Sequence, residues 1–159
     1  MAEKSQIDEV VTVMTSLNKK AKEVIENYDI SACTDITGFG LIGHAMEMAS
    51  SSQVTFEIDV HKVPYIDGAL YMAKMGLVPA GTYNNKNYIE NDVYSENIQE
   101  YFIDALYDPQ TSGGLLITLP ESKVENIMKD FTNKNMETKV AVIGKVIEKQ
   151  EKSIILKNS

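Results

Sequence analysis

One stretch limits what this chain can fold into more than any other: Ala32-Cys33-Thr34-Asp35-Ile36-Thr37-Gly38-Phe39-Gly40-Leu41-Ile42-Gly43-His44. It sets a carboxylate, two hydroxyls and three glycines just ahead of the apolar run Ala45 to Ala49, which reads as the start of a helix. Glycine lets the backbone turn and approach a ligand closely, and a helix N-terminus offers unpaired N–H groups and a partial positive charge. That is the chemistry of a phosphate or metal-phosphate site. A carboxylate at such a turn repels phosphate unless a divalent cation sits between them, so Asp35 points to a cation, with magnesium the natural candidate.

Gly38-Phe39-Gly40-Leu41-Ile42-Gly43 is also a literal G-x-G-x-x-G, and Asp59 closes a following strand at about the distance that the dinucleotide fingerprint requires. The fingerprint needs a buried parallel strand directly before its first glycine, and Ser31 to Asp35 is too polar for one. The nicotinamide or flavin reading therefore ranks behind the phosphate and cation reading.

At 159 residues the chain is long enough to bury one core, as one domain or two very small ones. The formal charge of −8, with no cluster of Lys and Arg, argues against a nucleic-acid surface. The apolar runs fall well short of the roughly 20 residues of a membrane helix, and Met1 to Ser5 has no signal-peptide character, so no membrane partner is expected. A single cysteine, Cys33, excludes an internal disulfide and fits a reducing compartment, with the cytoplasm the default location.

Apolar residues from Ile7 to Ile25 recur at helical spacing and predict one long amphipathic helix over about Gln6 to Asn27, with Ser5 and Asp8 as a capping box. A helix to about Ser50 follows the glycine stretch, and Val54 to Val60 alternates as a strand does. Ile66 to Met75 is a short helix closed by Gly76, and Pro79 to Asn87 is a polar loop made of turn residues. Glu96 to Leu106 is helical. Asp108-Pro109-Gln110-Thr111-Ser112-Gly113-Gly114 then feeds the apolar strand Leu115 to Leu119 and sets polar groups and free amides at its mouth, a second candidate site. Ser122 to Thr132 is a helix, Lys139 to Ile147 a strand in which Gly144 marks a bulge or close approach, and Ser153 to Lys157 can return antiparallel to it. Cys33 reads as a small, mostly buried side chain, His44 as a helix-start residue, His61 as surface, and Glu100 with Asp104 as a solvated helix face. Roughly five helices and four strands, neither strictly alternating nor segregated, predict an α+β fold, a layered α/β sandwich with a mixed sheet of about four or more strands covered by helices.

Cys33 to Ala45 together with Asp108 to Leu116 resembles the C-terminal domain of selenophosphate synthetase (selenide, water dikinase), within the superfamily of aminoimidazole ribonucleotide synthetase. Both motifs stand in the family's order, separated by a Gly81-Thr82 to Asn85 loop that the family also has. Thiamine-monophosphate kinase and a hydrogenase maturation protein are further relatives, and Asp108 to Leu116 favours the selenium enzyme over them. The resemblance covers nearly the whole chain, so residues 1–159 are expected to be a single C-terminal domain.

The resemblance implies a two-domain enzyme whose N-terminal domain, not matched here, carries the reactive cysteine or selenocysteine, a lysine, more aspartates and the main homodimer surface. It implies a reaction in which ATP, selenide and water give selenophosphate, AMP and phosphate, with Mg²⁺ as cofactor and the nucleotide in a cleft between the domains. Asp35 matches the family's metal-binding aspartate. Thr34, Thr37, Gly38 and Gly40 would shape the loop near the phosphates, and Gly81, Thr82, Asn85, Asp108, Gln110, Thr111, Ser112, Gly113 and Gly114 would lie near the nucleotide. The family commonly has a basic residue near Asn84, where this chain has Asn84 itself with Lys86 close by. No catalytic nucleophile is expected in this chain, and alone it is expected to be inactive. A stand-alone nucleotide-binding or regulatory module, or a related ATP-dependent enzyme of the same superfamily, is the alternative.

Overall fold

Residues 2–159 are described by a computed structural model in which the elements run α1 (Lys4–Thr15), α2 (Lys19–Ile25), β1 (Ala32–Asp35), α3 (Gly40–Ser51), β2 (Val54–Asp59), α4 (Ala69–Lys74), α5 (Ala80–Ile89), β3 (Val93–Ser95), α6 (Glu100–Tyr107), β4 (Leu115–Thr118), α7 (Val124–Asn133), β5 (Gly144–Glu148) and β6 (Ile154–Lys157). The predicted α+β fold is the observed one: a mixed sheet of four strands in the order β3-β6-β2-β5, packed with helices, and a separate antiparallel pair, β1 with β4.

Alternation along β2 sends Phe56 and Ile58 into the main core, where they meet Ile42, Ala45 and Ala49 of α3, Ile154 and Leu156 of β6, and Phe102 and Leu106 of α6. Glu57, pointing the other way, pairs with Lys145 of β5 at 3.0 Å and Lys157 of β6 at 3.4 Å. The sheet thus has one apolar, helix-covered face and one charged face. A smaller core joins Ala21, Val24 and Ile25 of α2 to Ile127 and Phe131 of α7, with Leu115, Ile117 and Leu119 packed against it. Leu116, between two of these, turns the other way and joins the main core with Ile36. The β1–β4 pair is therefore the partition between the two cores.

Several expectations are corrected. The long first helix is two helices. Ser16 is extended at ψ 126°, its N–H donates to the Thr12 carbonyl at 3.0 Å and its hydroxyl to the same oxygen at 2.7 Å, which closes α1 before Leu17. Only α2 contributes buried side chains, and the N-terminal cap is Glu3 with Gln6, whose Oε1 accepts the Glu3 N–H at 2.9 Å, rather than Ser5 with Asp8. The segment Pro79 to Asn87 is no loop: Pro79 precedes α5, whose weak helix formers are held by burial of Thr82 and Ile89. β6 does not return along β5. It runs parallel to β2, which lies between them, so β5 and β6 have opposite directions without pairing. Strand β5 begins only at Gly144, and the close approach expected there is present, since a Cβ would lie 2.0 Å from the Glu57 carbonyl oxygen.

Candidate functional site

Strand β1 carries Asp35 at its end, exposed and opposite Leu115 of β4, with Cys33 exposed on the same face and Thr34 half-buried between them. Cys33 is thus exposed and not the buried side chain the sequence suggested; alternation puts it, with Asp35, on the face of the pair that also carries Leu115 and Ile117. Partial burial and the Asp35 charge push its thiol above the ordinary range. Beyond Asp35 the ladder continues: the Ile36 N–H donates to Gly114 at 2.9 Å, and the Gly113 N–H donates to the Ile36 carbonyl at 3.0 Å. A Cβ at position 113 would lie 2.5 Å from that carbonyl oxygen, so only glycine admits this approach.

The chain then turns into α3. The Gly40 N–H donates to the Thr37 carbonyl at 3.0 Å, and Gly40 sits at φ +70°, where a Cβ would also meet the Tyr107 carbonyl carbon at 2.8 Å. The same Thr37 carbonyl accepts the Gln110 N–H at 3.1 Å. From α5, Asn85 Nδ2 donates to the carbonyls of Gly38 at 2.9 Å and Tyr107 at 3.0 Å. Gly81 packs against the Pro109 ring, and buried Thr82 donates to Asp108 Oδ1 at 3.5 Å. Gln110 Nε2 closes the knot on Asp108, at 3.2 Å from its carbonyl and 3.1 Å from Oδ2. Burial pushes the Asp108 carboxyl above the usual range, partly offset by the bonds from Thr82 and Gln110.

Three segments far apart in sequence, Thr34 to Gly40, Gly81 to Asn85 and Asp108 to Gly114, are therefore tied together. Thr111 and Gly114 are exposed and Ser112 half-buried in the turn between Gln110 and β4. Lys86 is committed elsewhere, paired with Glu100 and 3.7 Å from Asp104 Oδ1. Asp104 is itself a correction: it is buried, not solvated, and burial raises its carboxyl despite Lys86.

His44, read from the sequence as a helix-start residue, lies near the start of α3. The structure gives it two partners, Thr37 Oγ1 at 3.1 Å from Nε2 and Glu47 Oε2 at 3.2 Å from Nδ1, with the Phe39 ring edge-on at 5.8 Å. The three-residue spacing of His44 and Glu47 on a helix was the available signal. His61 is exposed as expected and meets Asn158 Oδ1 at 2.7 Å.

Among the described residues no group of three or more His, Cys, Asp or Glu side chains is arranged to enclose a metal ion. Of the residues gathered here, the exposed Asp35 carboxylate is the hard oxygen donor that could fill one ligand position of a divalent cation. No helix of the described residues is long and apolar enough to cross a membrane.

The fold and this knot define a class, and residues 2–157 match the family described as AIR synthase related protein, C-terminal domain, to which the chain belongs. Within it the chain is similar to proteins named selenide, water dikinase. It is 45% identical over 156 residues to selenide, water dikinase 2 of Peptoclostridium acidaminophilum, covering 98% of this chain and 45% of that protein. The identity is 47% with the selenide, water dikinases of Caldanaerobacter subterraneus subsp. tengcongensis (92% of this chain, 42% of the relative) and Clostridioides difficile (97% and 44%). The resemblance seen in the two motifs thus extends along the chain, which spans a little under half the length of these relatives.

Proposed function

We propose that this chain is the C-terminal half of a selenophosphate synthetase, forming one wall of a Mg-ATP cleft and inactive without an N-terminal domain that carries the nucleophile. The observation that carries the reading is the bonded knot of three glycine- and hydroxyl-bearing segments beside an outward-facing Asp35. Supporting it is the name shared by the relatives.

In this reading Asp35 would supply one carboxylate, a hard oxygen donor, to a divalent cation in the cleft. A divalent cation held there would supply positive charge against the phosphates, and Asp35 would be the residue of this chain that holds it. Phosphoryl transfer depends on positioning and charge more than on a protein acid or base, which suits a wall with no nucleophile of its own. The knot's task is rigidity: Asn85, Gln110 and Gly113 hold the Ile36 to Gly40 backbone, and with it the carboxylate at the end of β1. Phosphorus NMR of the two-domain enzyme with ATP and selenide tests the assignment, with selenophosphate, AMP and phosphate the expected products. ATP unchanged, or cleaved to ADP alone, contradicts it.

A further inference from the structure

Thr37 lies in the turn between Asp35 and α3, and among the described residues its hydroxyl has one side-chain partner, the His44 ring. The other ring nitrogen faces the Glu47 carboxylate, and the His44 side chain is only 11% exposed. A carboxylate can only accept, so the hydrogen of a neutral imidazole belongs on Nδ1, facing Glu47. Nε2 is then a bare acceptor. With the ring neutral, the Thr37 hydroxyl donates its hydrogen inward to it, which leaves the threonine oxygen with lone pairs alone to offer any ligand, whereas an imidazolium would reverse this bond.

Resting on the cleft assignment above, we propose that Glu47 and His44 are positioning residues that fix Thr37 Oγ1 as a hydrogen-bond acceptor for water held by the cation, not as a donor to phosphate. Glycine-rich turns are usually expected to aim hydroxyls and amides at phosphate oxygens. Here the hydrogen needed for that is taken by His44. A hydroxyl that only accepts suits a group that brings hydrogen, and water polarised by a divalent cation is a strong donor. Thr37 follows Asp35 by two residues, so both would serve the cation's hydration shell from one turn.

The first test needs no ligand. In the chain labelled with nitrogen-15 at histidine, at a pH where the imidazole is neutral, long-range proton–nitrogen spectra are expected to show His44 as a single form protonated at Nδ1. Glu47→Ala, at a side chain that is 55% exposed, should leave the fold intact and move both ring nitrogens toward an averaged position. Protonation at Nε2 in the unaltered chain, or no change in Glu47→Ala, overturns the proposal whether or not the enzyme makes selenophosphate.

The second test uses the two-domain enzyme. Loss of one hydrogen bond predicts that Thr37→Val and His44→Phe each raise the Mg²⁺ concentration for half-maximal rate about fivefold, with the KM for ATP nearly constant. Thr37→Ser, and His44→Gln with its acceptor amide, should recover most of the loss. A rise in the KM for ATP at unchanged Mg²⁺ dependence would mean that Thr37 donates to phosphate, and would overturn the assignment.

Discussion

Asn85 and Gly38 are joined by a 2.9 Å hydrogen bond from the α5 side-chain amide to the carbonyl of the turn before α3. A second bond from the same nitrogen reaches Tyr107 at 3.0 Å, so both amide hydrogens are spent on backbone carbonyls and the orientation of the amide is fixed. Asn85 therefore acts as a strut between α5, α6 and the glycine turn. Asn85→Ala removes two bonds of about 1 kcal/mol each, which predicts a loss of about 2 kcal/mol in urea unfolding. Asn85→Asp should cost more, because a carboxylate would face two carbonyl oxygens. A stability unchanged in both variants would contradict the strut.

Adjacent glycines at 113 and 114 differ sharply in their surroundings. A Cβ at 113 meets backbone at 2.5 Å, whereas nothing lies within 4 Å of one at 114. Gly113→Ala is expected to lose about 2 kcal/mol or more, since the neighbour is a carbonyl that cannot swing aside. Gly114→Ala should stay within about 0.5 kcal/mol of the parent chain. Thermal unfolding of the two variants side by side checks the contrast.

Asp104 gives a prediction in pH. Burial raises its carboxyl in the folded chain above its value in the unfolded one, so the unfolded chain releases this proton first as pH rises. The contribution of Asp104 is favourable while the group is protonated in both states, and is lost as pH climbs through the raised folded value. Asp104→Asn, which never ionises, should gain stability relative to the parent chain between about pH 4 and neutrality. Melting curves across that range test the sign, and an advantage that shrinks with rising pH contradicts it. Lys86 keeps Glu100 as a partner in the variant.

The pattern of residues revealed the sheet-facing strand, the apolar helices and both glycine motifs, because each carries a strong period or a local backbone demand. It hid whatever depends on distant contacts. Residues 80–89 are composed like a loop and become α5 because α3 and α6 offer Thr82 and Ile89 a buried place. Ser153 to Lys157 follows β5 across a few polar residues as a hairpin would, yet pairs with β2, whose two free edges win over proximity in sequence. Val93 to Ser95 is too short to read as a strand and exists only as an edge on β6. At the site, the motifs marked the residues, but not that Asn85 spends its amide on backbone or that His44 joins Thr37 to Glu47.

Asp35 is exposed at the end of β1, so its replacement should not disturb the fold. The most direct measurement is the rate of selenophosphate and AMP formation from ATP and selenide by the two-domain enzyme bearing Asp35→Ala, with melting temperature followed in parallel. The expected result is a fall of about 100-fold or more at unchanged melting temperature, as befits a lost carboxylate on the cation. A rate equal to that of the unaltered enzyme would mean that Asp35 does not hold the cation.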